Sequence, residues 1–196
     1  MTTQEKNGIT EGVIWKQLLI FFFPILVGSF FQQLYNTVDS VIVGQFVGKE
    51  ALSSVGGSAG QIISLVVGFF TGVSTGATVI ISQYFGAGKK EEIEESLHTA
   101  YAFALVGGLV LGIAGIVFAP QMLRWMNTPE ELIAESVLYV RVYFSGLIFI
   151  FIYNMGAAIL RAVGDSKRPL YYLIVCSVVN IILDLLLILV IPLGVL

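Results

Sequence analysis

Two aspartates, Asp39 and Asp184, stand inside long apolar runs, whereas the other eleven of the chain's 13 acidic residues fall in the tail, in connections or near helix ends. A charge at the centre of a bilayer-spanning helix costs roughly 2.5–3.5 kcal/mol on insertion scales. An acid kept there has polar partners, a task, or both. Polar companions do occur at helical spacing. Gln32, Tyr35, Asn36 and Asp39 recur at offsets of 3, 4 and 7 and share one helix face. Asn180 precedes Asp184 by four residues, so these two also face one way. Two carboxylates and an amide in one polar pocket can hold a proton, a sodium ion or an organic cation, and the three compete. The alternative is a satisfied polar cluster that ties helices together. For covalent chemistry the sequence offers only an aspartyl dyad of Asp39 and Asp184. The single histidine, His98, belongs near a helix start at the membrane surface, and no HExxH, CxxC or GxxxxGK[ST] pattern occurs. Neither a cofactor nor a metal other than a sodium ion at the acidic site is expected.

The elements that must position these residues are membrane spans. Hydrophobic residues make up 57% of the 196 and charged residues 12%, against about 25% charged in soluble domains. The mean hydropathy is +0.91. The chain therefore reads as an all-α, polytopic integral membrane protein. A span needs about 20 apolar residues, and five candidates appear, near 13–47, 51–85, 96–119, 132–158 and 170–191. The first two exceed one bilayer and must tilt, bend or protrude. Pro24 lies inside the first and removes one backbone hydrogen bond there. Lys6, Lys16, Lys89, Lys90, Arg161, Lys167 and Arg168 fall on the side of the N-terminus, against Lys49, Arg124 and Arg141 on the other. That bias predicts a cytoplasmic N-terminus in the cell membrane. Asp184 then lies about 14 residues, or ~21 Å, into its span, and Asp39 about 25 residues into its longer one. Both acids fall in the outer half of the bilayer at compatible heights.

Other features carry less chemistry. Gly56, Gly60, Ser64, Gly68, Gly72 and Gly76 form an unbroken four-residue ridge on the second span. Such ridges let helix backbones approach closely in lipid, so the ridge reads as a packing surface on which Gly68→Leu impairs assembly. Gly108 and Gly112 repeat the device on the third span. Arg161 reads as a helix-end cation with a local partner in Asp165, Tyr139 as a lining residue of the polar cavity, and Asn154 as interhelical glue. Glu91, Glu92, Glu94 and Glu95 look like a solvated helix start. The lone Cys176 excludes an intramolecular disulfide. No basic stripe marks a nucleic-acid surface, and the polar N-terminus lacks the basic start of a cleavable signal. The expected partners are the lipid bilayer and a small-molecule substrate.

Three stretches carry a family resemblance. "QQLYNTVDSVIVGQFVG", "ISQYFGAGK" and "ILRAVGDSKRPLYYLIVCSVVNIILDLLLI" resemble the first-helix, second-helix and fourth-to-fifth-helix patterns of the multidrug and toxic compound extrusion (MATE) transporters, in the right order along the chain. The resemblance implies that Asp39 is the family's first-helix acid and that Asn180 and Asp184 belong to the cation site of its N-terminal lobe. It places Tyr35, Asn36 and Tyr139 near the adjoining cavity. The implied activity is antiport, in which sodium ions or protons enter while a drug-like, often cationic, compound leaves. Residues 1–196 would then be a partial MatE domain, the N-terminal lobe of a two-lobe protein, and its partner the C-terminal lobe of the same longer chain. The alternatives are a lipid or oligosaccharide-lipid flippase, which should carry more basic residues in its cavity, an intramembrane aspartyl protease, and a purely structural membrane subunit.

Overall fold

Three helix ends in this chain are closed by a residue of left-handed φ, Gly88, Asn127 or Gly164. In the computed structural model, which describes residues 13–42, 44–45, 53 and 56–189 (the side chains of 184, 185 and 187–189 excepted), six helices follow one another: α1 Ile14–Ile42, α2 Ser58–Gly86, α3 Lys90–Trp125, α4 Glu130–Ser145, α5 Leu147–Ala162 and α6 Lys167–Leu189. Helices α1, α2 and α3 are each long and apolar enough to cross a bilayer, and α4 and α5 do so together as a pair bent by 49°. Helix α6 has 23 residues, about 34 Å of helix.

The fourth expected span, near 132–158, is thus two helices. The break falls at the pair Ser145–Gly146. The Ser145 hydroxyl donates to the Val142 carbonyl at 2.6 Å, and the Gly146 N–H turns to the Tyr143 carbonyl at 3.1 Å. A side chain has inserted itself into the i→i−4 ladder, a recognised cause of a sharp kink. The third span also differs from the 96–119 expected. It runs from Lys90 to Trp125, because apolar counting finds the part in lipid and not the polar turns beyond it. Glu91 and Glu92 in the first turn suit the helix dipole. The Glu92 carboxyl is held below the usual carboxylate range by a hydrogen bond from its own backbone N–H and then by Lys89, whose Nζ lies 3.1 Å away. At the other end Asn127 takes a left-handed φ of 54° and closes the turn.

Pro120 stands inside α3 and has no N–H for the carbonyl four residues back, that of Ile116. Arg141 on α4 supplies the missing donor, with Nε 3.2 Å from that oxygen. The turn between α5 and α6 is built by Gly164, at φ 91°, and by Asp165. Asp165 Oδ1 accepts from the N–H groups of Lys167 and Arg168 at 3.1 and 3.0 Å, and Oδ2 pairs with Arg168 Nε at 3.1 Å. Asp165 is therefore an N-terminal cap, and Asp165→Ala should destabilise the protein by about 1 kcal/mol. Thermal unfolding in detergent, compared with Asp165→Asn, checks this, because Asn retains a capping oxygen.

Helices α2, α3, α4 and α5 pack on one another, and α1 packs along α6. The stripe that closes the four-helix core is on α3: Ala100, Ala104, Gly108, Gly112, Gly115 and Ala119 are all buried. A Cβ on Gly108 would lie 2.9 Å from Ile148 Cα of α5, and one on Gly112 would lie 3.0 Å from the Phe144 carbonyl. Phe70 and Phe151 stack between α2 and α5. The expected ridge of α2 behaves otherwise. A Cβ on Gly56, Gly68, Gly72 or Gly76 would meet nothing within 4 Å, so this face packs against no described helix. Gly68 therefore supports no contact among the described helices, contrary to the expectation from spacing alone. Gly108→Leu should lower stability by about 1–3 kcal/mol through overpacking, and Gly68→Leu should not. The contrast is read by heating both variants in the same detergent.

Candidate functional site

Helices α1 and α6 run parallel, because the successive crossings alternate in direction. Their register is set where a Cβ on Gly28 would lie 3.6 Å from both Leu170 and Leu173. Eleven residues further along each helix, about 17 Å, Asp39 comes level with residues 181–184. The backbone therefore brings the first-helix acid and the Asn180–Asp184 stretch to one height on two helices that touch. Asp184 lies in the final turns of α6, and its side chain is outside the described residues. Asn180 Oδ1 and Asp39 Oδ1 are both sealed from solvent.

The Asp39 carboxylate acts electrostatically on two hydroxyls, that of Tyr35 one turn back on α1 and that of Tyr139 on α4. Gln32 is hydrogen-bonded to Tyr35. Four of the expected residues, Gln32, Tyr35, Asp39 and Tyr139, thus lie in one neighbourhood, three on α1 and one on α4. Asn36 is not drawn into it. Its amide donates to Gln33 Oε1 at 3.4 Å and its side chain is exposed. Two members escaped the sequence reading. Tyr143 interacts with both Tyr139 and Tyr35, its ring centroid 6.4 Å from that of Tyr139. Tyr153 on α5 interacts with Tyr35 and with Cys176 of α6. The i,i+4 spacing of Tyr139 and Tyr143 was a usable signal for the first. Nothing local announced Tyr153, which joins only because the chain bends at Gly146.

The group gathers four tyrosines, from α1, α4 and α5, in the neighbourhood of one carboxylate. Phenol faces and hydroxyls suit a flat, amphipathic organic cation, which gains cation–π attraction on the rings and charge neutralisation at Asp39. Among the described residues no group of three or more His, Cys, Asp or Glu side chains converges to hold a metal ion. Near the start of α1 and the end of α5 a cavity of about 400 Å³ opens between α1, α2 and α5. Arg161, Ser74, Thr78 and Asn154 line it. Asp165 is not the partner of Arg161, because both its oxygens are engaged at the start of α6.

The sequence profile of the MatE family matches residues 24–186. Probable multidrug resistance protein YoeA of Bacillus subtilis is 33% identical over 93% of this chain and 39% of its own length. Probable multidrug resistance protein YpnP of the same organism is 34% identical over 95% of the chain and 42% of its own length. Among solved structures, an outward-facing multidrug resistance MATE transporter of the MOP superfamily superposes with a TM-score of 0.91 at 26% identity, over 100% of this chain and 43% of that one. A MATE in complex with MaD3S superposes with a TM-score of 0.90 at 26% identity, over 99% of this chain and 43% of that one. The chain spans about two-fifths of the length of these proteins. From the match across its helices and the shared fold, this integral membrane chain belongs to the MatE family.

Proposed function

We propose that the chain forms the N-terminal lobe of a cation-coupled multidrug exporter of the cell membrane, with its N-terminus in the cytoplasm. Sodium ions or protons entering through Asp39, Asn180 and Asp184 drive the exit of a drug-like, often cationic, compound that rests against Gln32, Tyr35, Asn36 and Tyr139. The observation that supports this reading is the packing of α1 along α6, whose register at Gly28 brings Asp39 toward residues 181–184; on this reading the neighbouring tyrosines line a cleft. The names of the relatives support the substrate class, since YoeA and YpnP are described as multidrug resistance proteins. Family membership removes the aspartyl protease from the alternatives, because the family consists of transporters.

A physical argument links the cleft to coupling. A cation and a cationic drug that share one carboxylate bind in competition, so loading one releases the other. Coupling further requires that the inward- and outward-facing states bind the ion with different affinities. In a two-lobed transporter the second lobe supplies that difference, by closing one mouth of the cleft as the other opens. The test is efflux of a fluorescent cationic dye from vesicles containing the full-length protein, under an imposed sodium gradient and, separately, an imposed proton gradient. Acceleration by either gradient supports the reading and names the ion. Equal rates with and without both gradients would sink it.

A further inference from the structure

Arg161 is the one charged residue among those lining the cavity between α1, α2 and α5. It is partly buried and has no carboxylate partner among the described residues. Two turns deeper stands a second anomaly. Ser74 is 4% exposed, it lines the same cavity, and its Oγ is sealed from solvent with no hydrogen-bond partner among the described residues. The neighbouring hydroxyls are all accounted for. Thr71, Thr75 and Ser82 donate to carbonyls of their own helix, and Thr78 donates to Ser74 O at 2.9 Å, with Ala158 O of α5 3.4 Å away. A buried hydroxyl left without a partner costs about 1–3 kcal/mol, so Ser74 keeps an unused donor in the cavity wall, one that a ligand reaches once the side chain turns into the cavity. Asn154 is level with it across the cavity and gives one amide N–H to Ile150 O, which leaves the other for a ligand.

The contact between Thr78 and Ala158 aligns α2 with α5, and both helices run toward the inner surface. Arg161 lies one residue from the end of α5, at the depth of the inner headgroups. Ser74 and Asn154 lie about 10 Å deeper along the helices. The order is thus a cation at the rim with Phe21, Ala158 and Ala162 near it, and neutral polar side chains below. It matches a glycerophospholipid, whose phosphodiester sits at the headgroup level and whose ester carbonyls lie deeper. We propose that this cavity binds the phosphodiester headgroup of an inner-leaflet glycerophospholipid, with the phosphate on Arg161 and an ester carbonyl accepting from Ser74 and Asn154. A guanidinium suits a phosphate because it offers several N–H donors in a planar fork. The site lies about 18 residues, or ~27 Å, inward of Asp39 along α1 as counted from Phe21, which also lines the cavity. It is separate from the cation site, and only its assignment to the inner leaflet rests on the proposed cytoplasmic N-terminus.

The test is calorimetric titration of the full-length protein in a neutral maltoside detergent, without any gradient. One arm uses dihexanoyl-phosphatidylglycerol, and the other uses glycerophosphoglycerol, the same headgroup without acyl chains. Binding of the lipid alone assigns the site to lipid, whereas binding of both with similar affinity assigns it to a phosphodiester solute entering from the inner side. In either case Arg161→Gln should weaken binding about tenfold or more and abolish its salt dependence. Arg161→Lys should lose less, because it keeps the charge, and Ser74→Ala should weaken binding of the lipid several-fold. Should Arg161→Gln fail to fold, Arg161→Lys and Ser74→Ala carry the same comparison. Failure of both probes to bind the wild type overturns the proposal, as does wild-type affinity in whichever of these variants fold.

Discussion

Asp39→Asn in the full-length protein should abolish gradient-driven efflux while leaving insertion and fold intact. The substitution preserves size and removes a charge from the bilayer interior, so it lowers the insertion cost rather than raising it. The amide still hydrogen-bonds across helices, so a role as interhelical glue survives it. What it loses is the capacity to take up a proton or to neutralise a cation, and with it the carboxylate that acts on Tyr35 and Tyr139. Coupling free energies are typically about 1–3 kcal/mol, which corresponds to roughly 5–150-fold in affinity. The expected loss of gradient acceleration is of that order. Asp184→Asn should behave alike, since residues 181–184 stand level with Asp39 on the packed partner helix. The double variant should be little worse than either single one, as for residues acting as one unit. Dye efflux against an imposed gradient, with membrane expression followed in parallel, decides the matter. Wild-type acceleration in Asp39→Asn would assign that acid to structure.

The second large effect concerns the bend in the fourth span. Gly115→Leu should cost more than the usual 1–3 kcal/mol of overpacking, because a Cβ at Gly115 overlaps the ring of Phe144 itself. Phe144 is 3% exposed and lies one residue before the Ser145–Gly146 break. Its ring fills a notch on α3 that exists only because Gly115 has no side chain. Helix association in lipid depends on such fits, as the surrounding chains are as apolar as the helices. The mutation therefore forces α3 and α4 apart just where Tyr139 and Tyr143 are aimed into the cleft. Removing the obstacle should restore the fold, so Gly115→Leu combined with Phe144→Ala should be more stable than Gly115→Leu alone. A thermal double-mutant cycle measures that coupling. Strictly additive destabilisation would show that Phe144 does not occupy the notch.

Much of the architecture was legible because a bilayer imposes lengths. Runs of about 20 apolar residues had to be helices that satisfy their own backbones, and α1, α2, α3 and α6 overlap the expected runs. The polar ends of α3 were missed for the same reason, since apolar counting stops where lipid stops. The register of α1 on α6 was not readable in this way; it comes from the approach of Gly28 to Leu170 and Leu173.

Neighbour relations were not legible, for a physical reason. In water an apolar stripe tells which helix face is inside. In lipid every face is apolar, so hydrophobic pattern says nothing about which face packs. Two small-residue ridges, on α2 and on α3, looked alike in sequence. Only the tertiary structure shows that Gly108, Gly112 and Gly115 receive α4 and α5, while Gly68, Gly72 and Gly76 meet no described helix. Arg161 and Asp165 look like an ion pair four residues apart, yet the start of α6 claims Asp165 and leaves Arg161 to the cavity. Tyr153 reaches the cleft through a 49° bend that one serine hydroxyl and one glycine create. The sequence by itself determined the all-α membrane class and the apolar runs that become helices, because these follow from composition and length. Which helices touch, and which side chains share a cavity, was decided by close packing between particular small residues and rings, and that fit exists only once the chain has folded.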